Sequence, residues 1–272
     1  MKFKAQGMLT AVMLLALAGS AVAESKVPSI ELVEVKGGTY QQGDTFNVGG
    51  EDEKPVHRVT VKDFSIGKYE VTQEQWKAII KKNPSRFVGD KLPVDSVSWD
   101  EVQVFIKKLN KKTGKKYRLP TESEWEYAAR SGGKDELYAG TSKGLNKETK
   151  ENELADYAWY DVNSEEKTHE VGTKKPNGLG IHDLSGNVWE WVQDRFGNEY
   201  YSKSPEDNPQ GPDSGGDRVR RGGSWSSSER GVRATFRYGD FPDAKKDFVG
   251  FRLALSPEDP NEKPKLKTKK KK

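Results

Sequence analysis

The sequence predicts one α+β domain, rich in loops, with short strands and about three helices. Three observations lead to it. First, Thr72 with Gln75, Ser98 with Glu101 and Thr121 with Glu124 each form a capping box, in which the hydroxyl and the side chain three residues on satisfy each other's backbone donors. Second, short segments alternate apolar and polar residues in the two-residue period of a strand. Third, residues 131–180 and 194–217 are rich in Gly, Asn, Asp, Ser and Pro, which is loop chemistry. So much loop in a compact domain points to a binding surface, or to an ion that organises the loops.

Taken in order, residues 33–35 and 56–61 read as strands. The first capping box opens onto Trp76, Ile79 and Ile80, which share one helical face. The second opens onto Val102, Phe105, Ile106 and Leu109, and that helix ends in the segment 111–114. The third carries Trp125, Ala128 and Ala129 and stops before Ser131-Gly132-Gly133. Residues 219–221 and 251–254 read as core strands near the end. No internal repeat appears.

The two ends differ from the body. Lys2 and Lys4, an apolar run over 8–17 and Ala21-Val22-Ala23 before Glu24 make residues 1–23 an export signal. That run is too short to span a bilayer. Leu17-Ala18-Gly19-Ser20 resembles a lipoprotein box with serine in place of the acylated cysteine. Residues 24–29 are a lead-in, 30–256 the domain, and 257–272 a lysine-rich tail. The net charge of +4 misleads, because seven lysines lie in 263–272 and two in the signal, leaving the body at −5. The tail is expected to be disordered, since like charges repel and little can be buried. It is either a plain solubilising tail or a weak, non-specific contact with an anionic envelope. Export argues against a specific nucleic-acid partner, and no later segment is long and apolar enough to span a membrane. The chain has no cysteine, so an exported domain of this sequence must rely on its core and any bound ions. Its seven tryptophans help supply that core.

Five phrases carry more specific information: Gly37-Gly38-Thr39-Tyr40, Arg118-Leu119-Pro120-Thr121-Glu122-Ser123-Glu124-Trp125-Glu126-Tyr127, Gly186-Asn187-Val188-Trp189-Glu190-Trp191, Arg221-Gly222-Gly223-Ser224-Trp225 and Gly250-Phe251-Arg252-Leu253. In this order they resemble the formylglycine-generating enzyme (sulfatase-modifying factor) family. The resemblance implies a variant of the C-type lectin fold with short antiparallel strands. It also implies calcium at the turn leading into the tryptophan phrase, with Asp183 and Glu190 as side-chain ligands and backbone oxygens from Leu184, Gly186 and Val188. Calcium takes several hard oxygens of this kind. The alternative is that Glu190 satisfies buried donors between two core tryptophans. Asp156, Asp161 and Asn163 are candidates for a second site of the family.

Family activity is another matter. The copper-dependent oxidase implied by the resemblance needs two cysteines after the Gly-Gly-Ser phrase, and thiolates are what select copper(I). The first position falls near Ser227 and the second within 228–232, and neither is cysteine. No copper is expected. Three scattered histidines, His57, His169 and His182, show no metal-ligand spacing. Ser224 lacks the elbow spacing and base of a nucleophile.

Binding is the stronger reading. Between the last two strand phrases lie Ser226, Ser227, Glu229, Arg230, Tyr238, Asp240, Phe241, Asp243, Lys245, Lys246, Asp247 and Phe248. Aromatics mixed with small polar and charged groups suit an adaptable binding surface. The resemblance places the ligand site of the fold on this face, and it extends to the variable proteins of diversity-generating retroelements, in which the same segment is the diversified patch. Trp225, Arg233, Phe236 and Arg237 are expected to be scaffold. The sequence thus reads as an exported, non-catalytic domain of the periplasm, cell surface or medium that binds a protein or glycan. The alternatives are a cysteine-independent oxidoreductase or protein-modifying enzyme of the same family and an envelope structural protein attached by its basic tail.

Overall fold

A computed structural model describes residues 28–141 and 150–257; the expected export signal and most of the lysine-rich tail lie outside them. The chain begins with β1 (Leu32–Val35), β2 (Gly38–Gln42), β3 (His57–Val61) and β4 (Phe64–Gly67). Helices α1 (Gln73–Ile80) and α2 (Trp99–Thr113) follow, then β5 (Tyr117–Arg118), α3 (Glu122–Ala129) and α4 (Lys150–Tyr157). The C-terminal part supplies β6 (Trp189–Arg195), β7 (Arg218–Arg221), β8 (Arg237–Asp240), β9 (Val249–Phe251) and β10 (Ala254–Leu255). The result is the expected α+β domain of short strands and long loops.

All three capping boxes close as read. Thr72, Ser98 and Thr121 each accept from the backbone N–H three residues on, and Gln75, Glu101 and Glu124 each reach back to the cap N–H. Arg118 holds Glu124 as well, with two bonds at 2.6 and 2.7 Å. Helix α4 lies inside a stretch read as loop, because KENELADY has neither a capping box nor an apolar stripe.

The strands form three sheets, in the orders β1-β4-β10-β5, β2-β3 and β8-β7-β6-β9. Every pairing is antiparallel except β6 with β9, which is parallel. The segment 251–254, read as one strand, divides between two sheets. Phe251 ends β9 and Ala254 begins β10. Between them Arg252 turns inward and donates to the carbonyls of Gly67 and His182.

The third sheet separates two apolar layers, and alternation along β6 shows how. Trp189 and Trp191 face a layer with Trp76, Phe105, Val249, Phe251 and Leu253, where Trp76 stacks on Phe105 at 5.0 Å. Glu190 and Val192 face the other way, toward α3. That helix is buried on nearly every side, so its two buried glutamates need partners. Glu122 receives Arg237 at 2.6 Å and Glu126 receives Arg221 at 2.6 Å. The spacing of four residues puts both carboxylates on one helical face, opposite the paired residues Arg221 and Arg237 of β7 and β8. Hence Arg237 is scaffold, as is Arg233, which binds Glu53, while Trp225 is buried against Phe87.

Candidate functional site: an acidic turn and a C-terminal cleft

The turn before β6 is built on left-handed backbone. Asp183 and Asn187 both have φ of 58°, and Gly186 has φ of 87°. A Cβ on Gly186 would lie 2.1 Å from the carbonyl oxygen of Trp159, so glycine is required there twice over. The Asp183 carboxylate accepts from the Gly172 N–H at 2.7 Å. Glu70, which no reading of the sequence singled out, accepts from the Asn187 amide at 2.7 Å and from the Val188 N–H at 3.1 Å. Glu190 accepts from the Trp125 indole at 2.8 Å and from Arg252 at 2.6 Å on each oxygen. Burial raises the pKa of Glu70 well above the carboxylate range, and the neighbouring Asp183 and Glu190 charges add to it. Burial likewise raises Asp183.

Three buried carboxylates thus face Arg252. Their oxygens, with the carbonyls of Leu184, Gly186 and Val188, are the donor type calcium takes, and the surplus of carboxylate over guanidinium suits a cation. Among the described residues no group of three or more His, Asp or Glu side chains is placed to hold a metal. A cation at this turn would therefore depend on the backbone oxygens. Of the other candidates, Asp156 and Asn163 have their side chains occupied locally. Asp156 pairs with Lys175 at 2.7 Å, and the Asn163 side chain bonds to Ala158 and Tyr160. Asp161 meets Ser227 through its backbone N–H.

The histidines lie apart. His57 packs on Tyr201 with ring centres 4.6 Å apart. His169 stacks on Trp159 at 3.7 Å. The third ring, His182, bonds to the Lys174 carbonyl at 2.8 Å.

The C-terminal surface divides into two parts. One part lines an open cleft of about 450 Å³. One wall is Gly50, Asp52 and Glu53, from the loop between β2 and β3; another is Ser228, Arg230 and Gly231; the third is Phe236, Arg237 and Tyr238. Of the residues expected to bind ligand, Arg230 and Tyr238 line it. The acidic wall went unread in the sequence because it lies some 180 residues upstream of its partners; the Gly-Gly-Glu-Asp-Glu run was the available signal. Burial raises the pKa of Asp52 in this cleft, against the opposing pull of Arg237. Burial would raise Glu53 too, but two 2.8 Å bonds from Arg233 outweigh it and hold the carboxyl low. Ser227, near the first position of the family's cysteine pair, accepts the Ser224 N–H at 3.0 Å and so closes the turn. Ser226 and Glu229 are exposed beside it.

The other part is the loop from Phe241 to Phe248. Lys245 pairs with Glu101 of α2, and Asp247 with Arg86. The Lys246 carbonyl accepts from Ser96. Asp243, Lys245 and Lys246 are exposed, and Phe241 is 66% exposed. Asp240 and Phe248 are half-buried, beside Arg220.

These features define a loop-rich α+β domain with an acidic turn and a thiol-free cleft. Residues 19–257 match the sulfatase-modifying factor enzyme 1-like domain, and the chain belongs to that family. It is 31% identical over 252 residues to the serine/threonine-protein kinase pkn1 of Chlamydia pneumoniae, with 82% of this chain aligned to 38% of that one. The chain therefore spans well under half the length of that relative. Similarity to the formylglycine-generating enzyme of Streptomyces coelicolor is 29% over 289 residues, covering 82% of this chain and 88% of the enzyme. Among solved structures, Treponema denticola variable protein 1 superposes with a TM-score of 0.76 at 32% identity, covering 85% of this chain and 98% of that one. Among the described residues no helix is long and apolar enough to cross a membrane.

Proposed function

We propose that this chain is an exported, non-catalytic member of its family that binds a protein or glycan at its C-terminal face. One observation carries the reading. Where the family's oxidase would place two thiolates, this chain has Ser227 closing a turn and Ser228, Arg230 and Gly231 lining a cleft, and it contains no cysteine. Tyr238, which lines that cleft, is 48% exposed, and Phe241, in the loop that follows β8, is 66% exposed. Exposed aromatics of this kind are common anchors in binding surfaces. The proposed calcium is structural, held by Asp183 with the carbonyls of Leu184, Gly186 and Val188 and the nearby Glu190; when bound it would supply positive charge to a buried acidic turn. Residues 257–272 would add at most a weak contact with an anionic envelope.

The test is a screen of the full chain against random-peptide display and a glycan array, repeated with Tyr238→Ala and Phe241→Ala. Binding that vanishes in the double variant at unchanged melting temperature supports the proposal. Oxygen-dependent modification of a cysteine-containing peptide by the wild type would overturn it.

A further inference from the structure

We propose that Arg220 is a buried anchor for the carboxylate of an acidic peptide that docks along the free edge of β8. This deepens the binding reading above and rests on it.

Arg220 is in an unusual position. Its side chain is only 8% exposed, yet Nε and Nη1 are buried without a hydrogen-bond partner among the described residues. Asp240 lies 3.6 Å from Nη2, which balances charge but is too long for a hydrogen bond. Three rings wall the guanidinium: Tyr238, Trp189 and Phe248, centred 4.6, 4.9 and 5.4 Å from its central carbon. Rings attract a cation but do not satisfy N–H donors, and leaving charged donors unpaired in the interior is costly.

The missing partner is an acceptor, and a guanidinium fork matches a carboxylate. Tyr238 is the cover that must turn aside, being directly opposite Arg220 across the β7–β8 pair and about half exposed.

The edge selects a peptide. β8 is the outer strand of its sheet. Among the described residues no backbone hydrogen bond from outside the sheet reaches Tyr238, Gly239 or Asp240. Such an edge accepts an extended peptide as a further strand. A residue paired with Tyr238 would point to the same face as Tyr238 and Arg220, which puts one acidic side chain beside the guanidinium. A densely anionic glycan fits less well, because Asp52 and Asp240 also face this region.

The test selects a random-peptide display library on the full chain and measures affinity for one enriched peptide. Enriched peptides should share an Asp or Glu at one position. Arg220→Gln should weaken binding about tenfold or more, with Arg220→Lys intermediate, because charge survives in lysine but the fork does not. Changing the peptide's acidic residue to its amide should weaken binding to the wild type by a similar factor, a readout that does not depend on the variant folding. Peptides that depend on Tyr238 and Phe241 but carry no fixed acid, or bind Arg220→Gln unchanged, would overturn the anchor and leave the binding face standing. No enrichment that depends on Tyr238 and Phe241 would overturn both.

Discussion

Arg252 donates from Nε and Nη2 to the two carboxylate oxygens of Glu190, each at 2.6 Å, and neither side chain reaches solvent. The pair joins the last two strands of the chain to the tryptophan phrase of β6. Trp125 of α3 adds a third tie to the same carboxylate. Glu190 is thus employed in the scaffold whether or not a cation sits at the turn beside it.

Removing one partner should therefore be severe. Arg252→Met leaves Glu190 buried and uncompensated, and strips donors from the Gly67 and His182 carbonyls. The expected loss is about 3–5 kcal/mol by urea denaturation. The double variant with Glu190→Gln should cost less than the sum of the single losses, since the two share one interaction. Additive losses would show that the pair is not coupled.

Much of this arrangement could be read from the sequence, for reasons that are local. A capping box is a contact between residues three apart, so Thr72, Ser98 and Thr121 announced their helices. The turn holding Asp183 and Gly186 came instead from the family resemblance, carried over position by position. The pieces that were not legible are long-range. Glu70 reaches the turn from 117 residues upstream of Asn187, and Asp52 and Glu53 wall a cleft whose other walls come from 228–238. Arg220 looked like an ordinary strand residue, because a ring box from Trp189, Tyr238 and Phe248 exists only after three strands and a loop have assembled. Residues 251–254 read as one strand from the run Phe-Arg-Leu-Ala, a pattern that cannot show the chain changing sheets at Arg252.

Gly250 offers a test of close packing. It pairs with Glu190 across the parallel strands, and a Cβ there would lie 2.3 Å from the Val94 carbonyl oxygen. That neighbour is backbone and has little room to give. Gly250→Ala should destabilise by about 1–3 kcal/mol through overpacking. Gly216→Ala, where nothing lies within 4 Å of the added atom, should stay within about 0.5 kcal/mol. Equal melting temperatures for the two variants would contradict the packing.

The calcium proposal makes a thermal prediction. Adding calcium to chelator-treated protein should raise the melting temperature, because a ligand that binds only the folded state stabilises it, by about 2.7 kcal/mol at a hundred times its dissociation constant. Asp183→Ala should abolish the rise, while Asp156→Ala, whose carboxylate is paired with Lys175 on the surface, should keep it. Magnesium should be a poor substitute, since it demands a smaller, more regular oxygen shell. A melting temperature indifferent to calcium would remove the ion from the account of this turn.

Asp95 should make stability depend on pH in an identifiable way. Its Oδ1 accepts from the Arg86 N–H at 2.9 Å and from Ser96 at 2.8 Å, while Oδ2 is buried with no hydrogen-bond partner among the described residues. Burial pushes its pKa up from 3.8 to about 6; Asp247 adds to the rise, and the hydrogen bonds and Arg86 oppose it. The folded state therefore holds this proton more tightly than the unfolded chain does between about pH 4 and pH 6. Ionised Asp95 costs stability above pH 6, and the cost fades as pH falls toward 4. Other carboxylates titrate in the same range, so the comparison must be with Asp95→Asn, which keeps an acceptor for Oδ1's partners but cannot ionise. Measured by thermal unfolding across this window, the wild type should gain stability relative to Asp95→Asn as the pH is lowered. Two parallel curves would mean that Asp95 is either solvated or already protonated throughout.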